Sequence, residues 1–100
     1  MTRIAAYVPD LMDRSKVAAA AADIVFVPTP AGLAGAGADL VVLDLSRPGV
    51  LEALGGLGDV RTVGFASHVD RELLAAATAA GCDEVLPRSR FFADLQALLA

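Results

Sequence analysis

Short apolar runs separated by helical segments are the feature that most constrains the fold of this 100-residue chain. The run at 23–27 is rich in β-branched residues, which is typical of strands. The run at 39–45 is apolar on both faces, as expected for a strand in the centre of a parallel sheet. The predicted strands are Ile4–Val8, Asp23–Val27, Asp39–Leu45, Arg61–Ala66 and Glu84–Leu86.

Helix signals occupy the segments between the predicted strands. Asp10 and Asp13 form an acidic capping pattern for a helix that extends through an alanine block to about Ala22. Gly81 is placed to end a helix over Val69–Ala80. Two more helices are predicted, one at Val50–Leu57 and a final one that Ser89 caps and whose apolar stripe consists of Phe92, Leu95, Leu98 and Leu99.

The alternation of strands and helices predicts a single α/β domain over residues 1–100, with a parallel sheet and right-handed crossovers. The glycine-rich stretch at 31–37 precedes a strand and does not open a helix. We therefore interpret it as a flexible connection with at most a short helix, and not as a phosphate-binding loop. In parallel sheets ligands gather beyond the carboxyl ends of the strands, which directs attention to Asp10, Asp44, Ser67 and Arg88.

Composition argues against several classes of function. The formal charge of −4 disfavours nucleic acid as a partner, because such binding needs a positive field. No apolar run reaches the roughly 18 residues that cross a bilayer, so we expect no membrane association. The single cysteine, Cys82, fits a reducing compartment, and the N-terminus lacks a signal-peptide pattern, so we expect a cytoplasmic protein. No nucleophile–base pair is evident, so we do not expect an enzyme.

The stretch Asp44-Leu-Ser-Arg-Pro-Gly49 resembles the phosphoacceptor segment of the response-regulator receiver (CheY-like) domain of two-component signalling. Phe65–Asp70 is similar to the fourth strand of that family and the opening of its fourth helix. Ala79–Leu86 is similar to the segment where that helix ends and the fifth strand begins. The resemblance implies a flavodoxin-like fold: five parallel strands in the order 2-1-3-4-5, with helices on both faces. It also implies that Asp44 is the phosphoacceptor.

The first third of the chain departs from the family pattern. In the family, Mg²⁺ is held by the central aspartate and by an acidic pair at the end of the first strand. Those acidic positions fall on or near Val8-Pro9, and Asp10 follows one residue later. The resemblance therefore implies a shifted Mg²⁺ site at Asp10 and Asp44, with Asp13 nearby, only if the domain is active. Asp10 and Asp13 equally suit a plain helix cap.

The other two positions that support phosphorylation in the family also carry different residues here. The lysine that bonds the phosphate in the family is replaced by Arg88, which either contacts an anion or pairs with Asp44. The hydroxyl expected at the end of the fourth strand falls on Ala66, with Ser67 one step late. This pattern indicates a degenerate, or pseudo-, receiver that needs no cofactor, in which Asp44 is a strand-end acid.

The expected function is protein binding in signalling, with a partner protein or a second copy of the chain as ligand. Family receivers dock through the fourth helix, fifth strand and fifth helix, which correspond to Val69–Ala80, Glu84–Leu86 and Ser89–Leu99. Specificity on that face is expected to come from four charged residues, Arg71, Glu72, Arg90 and Asp94.

Two other functions stay open on the sequence alone. The chain is also compatible with a working single-domain response regulator that is phosphorylated on Asp44 with Mg²⁺. Alternatively, it is compatible with a flavodoxin-like domain that binds a small molecule, such as a nucleotide, in the crevice at the strand ends.

Overall fold

The computed structural model describes residues 2–100 and contains one five-stranded parallel sheet. The strand order is β2-β1-β3-β4-β5, so the predicted order 2-1-3-4-5 and the α/β class are confirmed. The strands are β1 (Ile4–Tyr7), β2 (Val25–Phe26), β3 (Leu40–Asp44), β4 (Arg61–Ala66) and β5 (Glu84–Pro87).

Helical segments connect the strands. They are α1 (Leu11–Ala20), a 3₁₀ helix (Pro30–Leu33), α2 (Val50–Leu54), α3 (Arg71–Ala79), α4 (Arg88–Ala93) and α5 (Leu95–Leu99). The glycine-rich stretch at 31–37 thus contributes only the short helix that the sequence predicts there. Within residues 2–100, no helix combines the length and the apolar character that crossing a membrane requires.

The central strand β3 is buried on both faces, as its sequence predicts. Leu40 and Val42 point into one core, which is completed by residues of α1, α4 and α5. Val41 and Leu43 point into the other, which is completed by residues of the 3₁₀ helix, α2 and α3. Helices therefore cover both faces of the sheet, and β3 carries Asp44 to its carboxyl edge between two packed layers.

The edge strand β2 is shorter than its sequence predicts. Only Val25 and Phe26 have strand geometry, in register with Ala5 and Ala6 of β1, although Val27 continues the ladder with a hydrogen bond to Ala6. An edge strand has only one neighbouring strand to pair with, which here is β1. Val25 is 56% exposed on this edge.

The C-terminal helix differs from the prediction in its start, its continuity and its buried face. Residue 87 is the N-cap, so Ser89 lies inside α4 and does not cap it. The helix is interrupted at Asp94, whose φ of −103° and ψ of 15° separate α4 from α5. Phe91, Leu95 and Leu99 form the fully buried row, and Phe92 and Leu98 only pack against its flank. The i, i+4 spacing of the observed row is the periodicity expected of a helix face.

A close approach of β4 to the chain after β3 fixes the position of the segment that follows Asp44. A Cβ atom on Gly64 would lie 2.7 Å from Cδ2 of Leu45, a distance that real side chains do not show. The backbone N–H of Leu45 donates to the carbonyl of Phe65 at 2.9 Å. Glycine at position 64 therefore lets Leu45 pack directly over β4 and holds the β3–α2 loop against the sheet.

Candidate functional site

Asp44 lies at the carboxyl end of β3 and is only 2% exposed. Its Oδ1 accepts hydrogen bonds from the backbone N–H of Ser46 at 3.1 Å and from the Ser46 hydroxyl at 2.6 Å. Its Oδ2 accepts from Nε of Arg47 at 3.4 Å. An aspartate that bonds the backbone two residues ahead forms an Asx turn, so the carboxylate organises the loop that leads into α2. Both of its oxygens are engaged by the residues that follow it.

Asp10 is the N-cap of α1. Its Oδ2 accepts a hydrogen bond from the backbone N–H of Asp13 at 3.0 Å, while its backbone keeps an extended conformation. The capping interpretation of Asp10 is therefore confirmed. The cap satisfies one of the donors that a helix leaves open at its N-terminus.

Arg88 pairs with Asp13 and not with Asp44. Its two Nη atoms donate to the two carboxylate oxygens of Asp13 at 2.9 and 2.7 Å, a parallel fork that joins the start of α4 to the first turn of α1. The predicted alternative, a pair between Arg88 and Asp44, is wrong. Asp13 is 4% exposed and presents both carboxylate oxygens to the guanidinium of Arg88. Asp44 is instead contacted by Arg47, three residues ahead in the sequence.

The electrostatics of Arg88 follow from these neighbours. The hydrogen bonds that Arg88 donates to Asp13 raise the pKa of Arg88 above its usual value, and the charges of Asp13, Asp44 and Asp10 act in the same direction. The guanidinium also lies 5.4 Å from the ring centroid of Phe65 and 5.3 Å from that of Phe92. The cation is thus held between a carboxylate and two aromatic rings.

An open pocket of about 480 Å³ at the carboxyl edge of the sheet brings together four of the predicted site residues, Asp10, Asp13, Asp44 and Arg88. It is lined by Asp10, Asp13, Asp44, Ser46, Arg47, Pro48 and Arg88. Three carboxylates and two guanidiniums give the lining a formal charge of −1. The sequence did not single out Ser46 and Arg47, although an aspartate followed two residues later by a serine is an Asx-turn signal.

Ser67 does not join this lining. It is half-buried after β4, and its Oγ accepts a hydrogen bond from the backbone N–H of Val69 at 3.4 Å. The strand-end position itself belongs to Ala66, which is buried and pairs with Pro87 of β5. The end of β4 therefore carries a methyl group that is buried in the core, and not a hydroxyl.

The donor set of the pocket does not fit a Mg²⁺ ion. Mg²⁺ requires nearly octahedral oxygen ligands, and both oxygens of Asp44 already accept hydrogen bonds from Ser46 and Arg47. Two guanidiniums in the same lining oppose the entry of a metal cation. Across the described part of the chain, residues 2–100, no group of three or more His, Cys, Asp or Glu side chains is arranged to hold a metal.

The four residues expected to set docking specificity are all exposed. Arg71 and Glu72 lie in the first turn of α3. Arg90 lies in α4 and Asp94 follows the end of α4, where Nε of Arg90 contacts Oδ2 of Asp94 at 3.3 Å. The helices α3 and α4 both contact β5, which is an edge strand of the sheet.

Solved structures with a similar fold match the chain, but no family model and no curated protein sequence does. A response regulator from Hahella chejuensis has 17% identity and a TM-score of 0.83, with 99% of this chain and 92% of that chain covered. The fold is that of a CheY-like receiver domain.

Two further solved structures share this receiver fold. The phosphorylated cyanobacterial phytochrome response regulator RcpA has 17% identity and a TM-score of 0.80, with 97% of this chain and 90% of that chain covered. A CheY-like protein (tadZ) from Pseudomonas aeruginosa PAO1 has 16% identity and a TM-score of 0.75, with coverage of 98% and 96%. At these identities the similarity shows the receiver fold alone.

Proposed function

We propose that this receiver-fold domain is a degenerate receiver that acts in signalling by binding another protein, without catalytic activity and without efficient phosphorylation of Asp44. One observation carries the proposal: each of the two buried carboxylates in the pocket forms an ion pair with an arginine of the same pocket. Arg47 engages Asp44 and Arg88 engages Asp13. In this arrangement the charge balance that a metal ion would provide is supplied by the protein.

The chemistry of phosphoryl transfer supports this proposal. A carboxylate that attacks a phosphoryl group needs a free oxygen, and a hard cation has to offset the repulsion between the anions. The two oxygens of Asp44 accept three hydrogen bonds, and the side chain is almost fully buried. Arg47 would have to leave Asp44 before a phosphoryl donor approached it in line.

The docking surface we propose consists of α3, β5 and α4–α5. Its charged residues, Arg71, Glu72, Arg90 and Asp94, are exposed, and Arg90 pairs with Asp94. An exposed pair of this kind contributes little to stability, so these residues are free to exchange partners on binding. We expect a protein partner, or a second copy of the chain, to dock there.

Intact mass spectrometry after incubation with acetyl phosphate and Mg²⁺ tests the absence of phosphorylation. We expect no gain of a phosphoryl group in protein shown to be folded by circular dichroism. Asp44→Asn is the control that identifies Asp44 as the acceptor. A gain of one phosphoryl group that disappears in the control would contradict the proposal and favour a working single-domain response regulator.

A photo-reactive amino acid at position 71 tests the docking surface. The matched control carries the same group at position 3, which is exposed before β1. Cross-links to a partner or to a second copy are expected from position 71 and not from position 3. Equal cross-linking from both positions would mean that the proposed surface is not the one used.

A further inference from the structure

The carboxylate of Asp13 occupies the guanidinium of Arg88 in the way that an external oxyanion would. Arginine binds carboxylates and phosphates through the same parallel fork of two N–H donors. In this chain the fork is complete, with both Nη atoms donating to Asp13 at 2.9 and 2.7 Å. The two residues are 75 positions apart, so the pair is a tertiary contact and not a consequence of local helix geometry.

Arg88 nevertheless keeps access to the pocket. Its side chain is 42% exposed and lines the same opening as Asp44 and Arg47. The rings of Phe65 and Phe92 support the guanidinium without using its N–H donors. The aromatic surface therefore allows the fork to turn from Asp13 toward the pocket while the cation keeps its packing.

We infer that Asp13 is an autoinhibitory residue, whose carboxylate acts as an internal anion and blocks Arg88 from binding an oxyanion of the phosphate class in the pocket. An entering oxyanion has to displace a carboxylate that is 4% exposed, and it meets a lining of formal charge −1. Replacing Asp13 by asparagine removes both obstacles, because the lining becomes neutral and the fork loses its charged partner.

Inorganic phosphate, titrated against Asp13→Asn at ionic strength matched with chloride, tests this inference. Chemical shifts of the arginine Nε–H groups and of the backbone amides near the pocket report the binding. Removal of one charge about 5 Å from the bound anion is expected to tighten phosphate binding about tenfold or more relative to the unaltered protein.

Asp10→Asn is the matched control, because it removes the same charge from the same pocket while asparagine still caps α1. Its gain in affinity is expected to stay within about threefold, since Asp10 is more exposed and better screened than Asp13 and does not hold Arg88. The double variant Asp13→Asn, Arg88→Gln should lose the gain of Asp13→Asn. Asp13→Ser provides a second test of the same release without an amide.

Three outcomes would overturn the inference. They are equal gains in Asp13→Asn and Asp10→Asn, a gain that persists without Arg88, and phosphate binding by the unaltered protein as tight as by Asp13→Asn. The test is independent of the proposed function, because it reads Arg88 directly and requires neither a docking partner nor a phosphorylated Asp44.

Discussion

The two ends of the sheet use the same types of charged residue in different ways. At the carboxyl end, two nearly buried carboxylates, Asp44 and Asp13, are each engaged by an arginine. At the amino end of β4 and β5, Arg61 and Glu84 form an ion pair at 2.7 Å between side chains that are 51% and 38% exposed. Distances of the same size therefore describe contacts of very different energetic weight, because burial and not separation sets the cost of losing a partner.

The amino end also contains a hydrogen-bonded clamp that closes the turn before β5. The hydroxyl of Thr62 accepts from the backbone N–H of Asp83 at 2.9 Å, and the carboxylate of Asp83 accepts from the backbone N–H of Thr62 at the same distance. The side chain of each residue thus accepts a hydrogen bond from the backbone N–H of the other. At the carboxyl end, by contrast, Asp13 and Arg88 satisfy each other across two helices.

The largest expected effect is that of Arg88→Ala, which leaves the buried Asp13 without its charged partner. We expect a loss of about 2–4 kcal/mol in the free energy of unfolding, below the full cost of breaking a buried pair because Arg88 itself is half-exposed. Urea unfolding followed by circular dichroism measures the change.

Asp13→Asn removes the other partner of the same pair and is expected to cost about 1–2 kcal/mol, because the half-exposed Arg88 can turn toward water. A larger loss of unfolding free energy in Arg88→Ala than in Asp13→Asn would show that the acid, and not the arginine, is the buried member of the pair. Equal losses would show that the pair acts as an exposed contact, like that of Arg61 and Glu84.

An intermediate effect is expected for Thr62→Val, which keeps the shape of the buried side chain but removes the hydroxyl from the clamp. The backbone N–H of Asp83 then loses its acceptor, at a cost of about 1–2 kcal/mol. Hydrogen exchange at Asp83 should accelerate more than at the buried amides of β3. Unchanged exchange at Asp83 would mean that water replaces the hydroxyl without loss.

The smallest effect is expected for Arg61→Ala. Both members of its pair are exposed and screened by salt, so the loss should stay below about 0.5 kcal/mol and shrink further in 1 M sodium chloride. The midpoint of urea unfolding at low and high salt measures it. A loss as large as that of Arg88→Ala would remove the distinction between the two ends of the sheet.

Local sequence patterns predicted the sheet but not the pairing of its charges. The run at 39–45 is apolar on both faces, and that property alone places it in the centre of a parallel sheet and puts Asp44 at its end. The cap at Asp10 is equally local. The partner of Arg88 is not, since the choice between Asp13 and Asp44 depends on how the first turn of α1 lies against α4.

The sequence pattern also did not predict correctly which face of the C-terminal helices is buried. Phe91 and Phe92 are adjacent and equally apolar, and the prediction placed Phe92 in the buried stripe. Phe91 is fully buried and stacks on the ring of Phe65, with centroids 4.4 Å apart, whereas Phe92 meets the same ring edge-on at 5.3 Å. The ring of Phe92 lies at the margin, where Lys16 and Arg88 contact it as cations. Helical periodicity alone does not distinguish two adjacent phenylalanines, and their different packing against Phe65 depends on a residue of β4, which is distant in the sequence.

The interruption at Asp94 has a mechanical consequence for the end of the chain. A continuous helix would act as a rigid rod and carry any displacement at Arg88 along its whole length. Here α4 is about 9 Å long and is anchored in the core by Phe91, and α5 is anchored separately in the same core by Leu95 and Leu99. We therefore expect a displacement at Arg88 to reach α5 less directly than it would along one continuous helix.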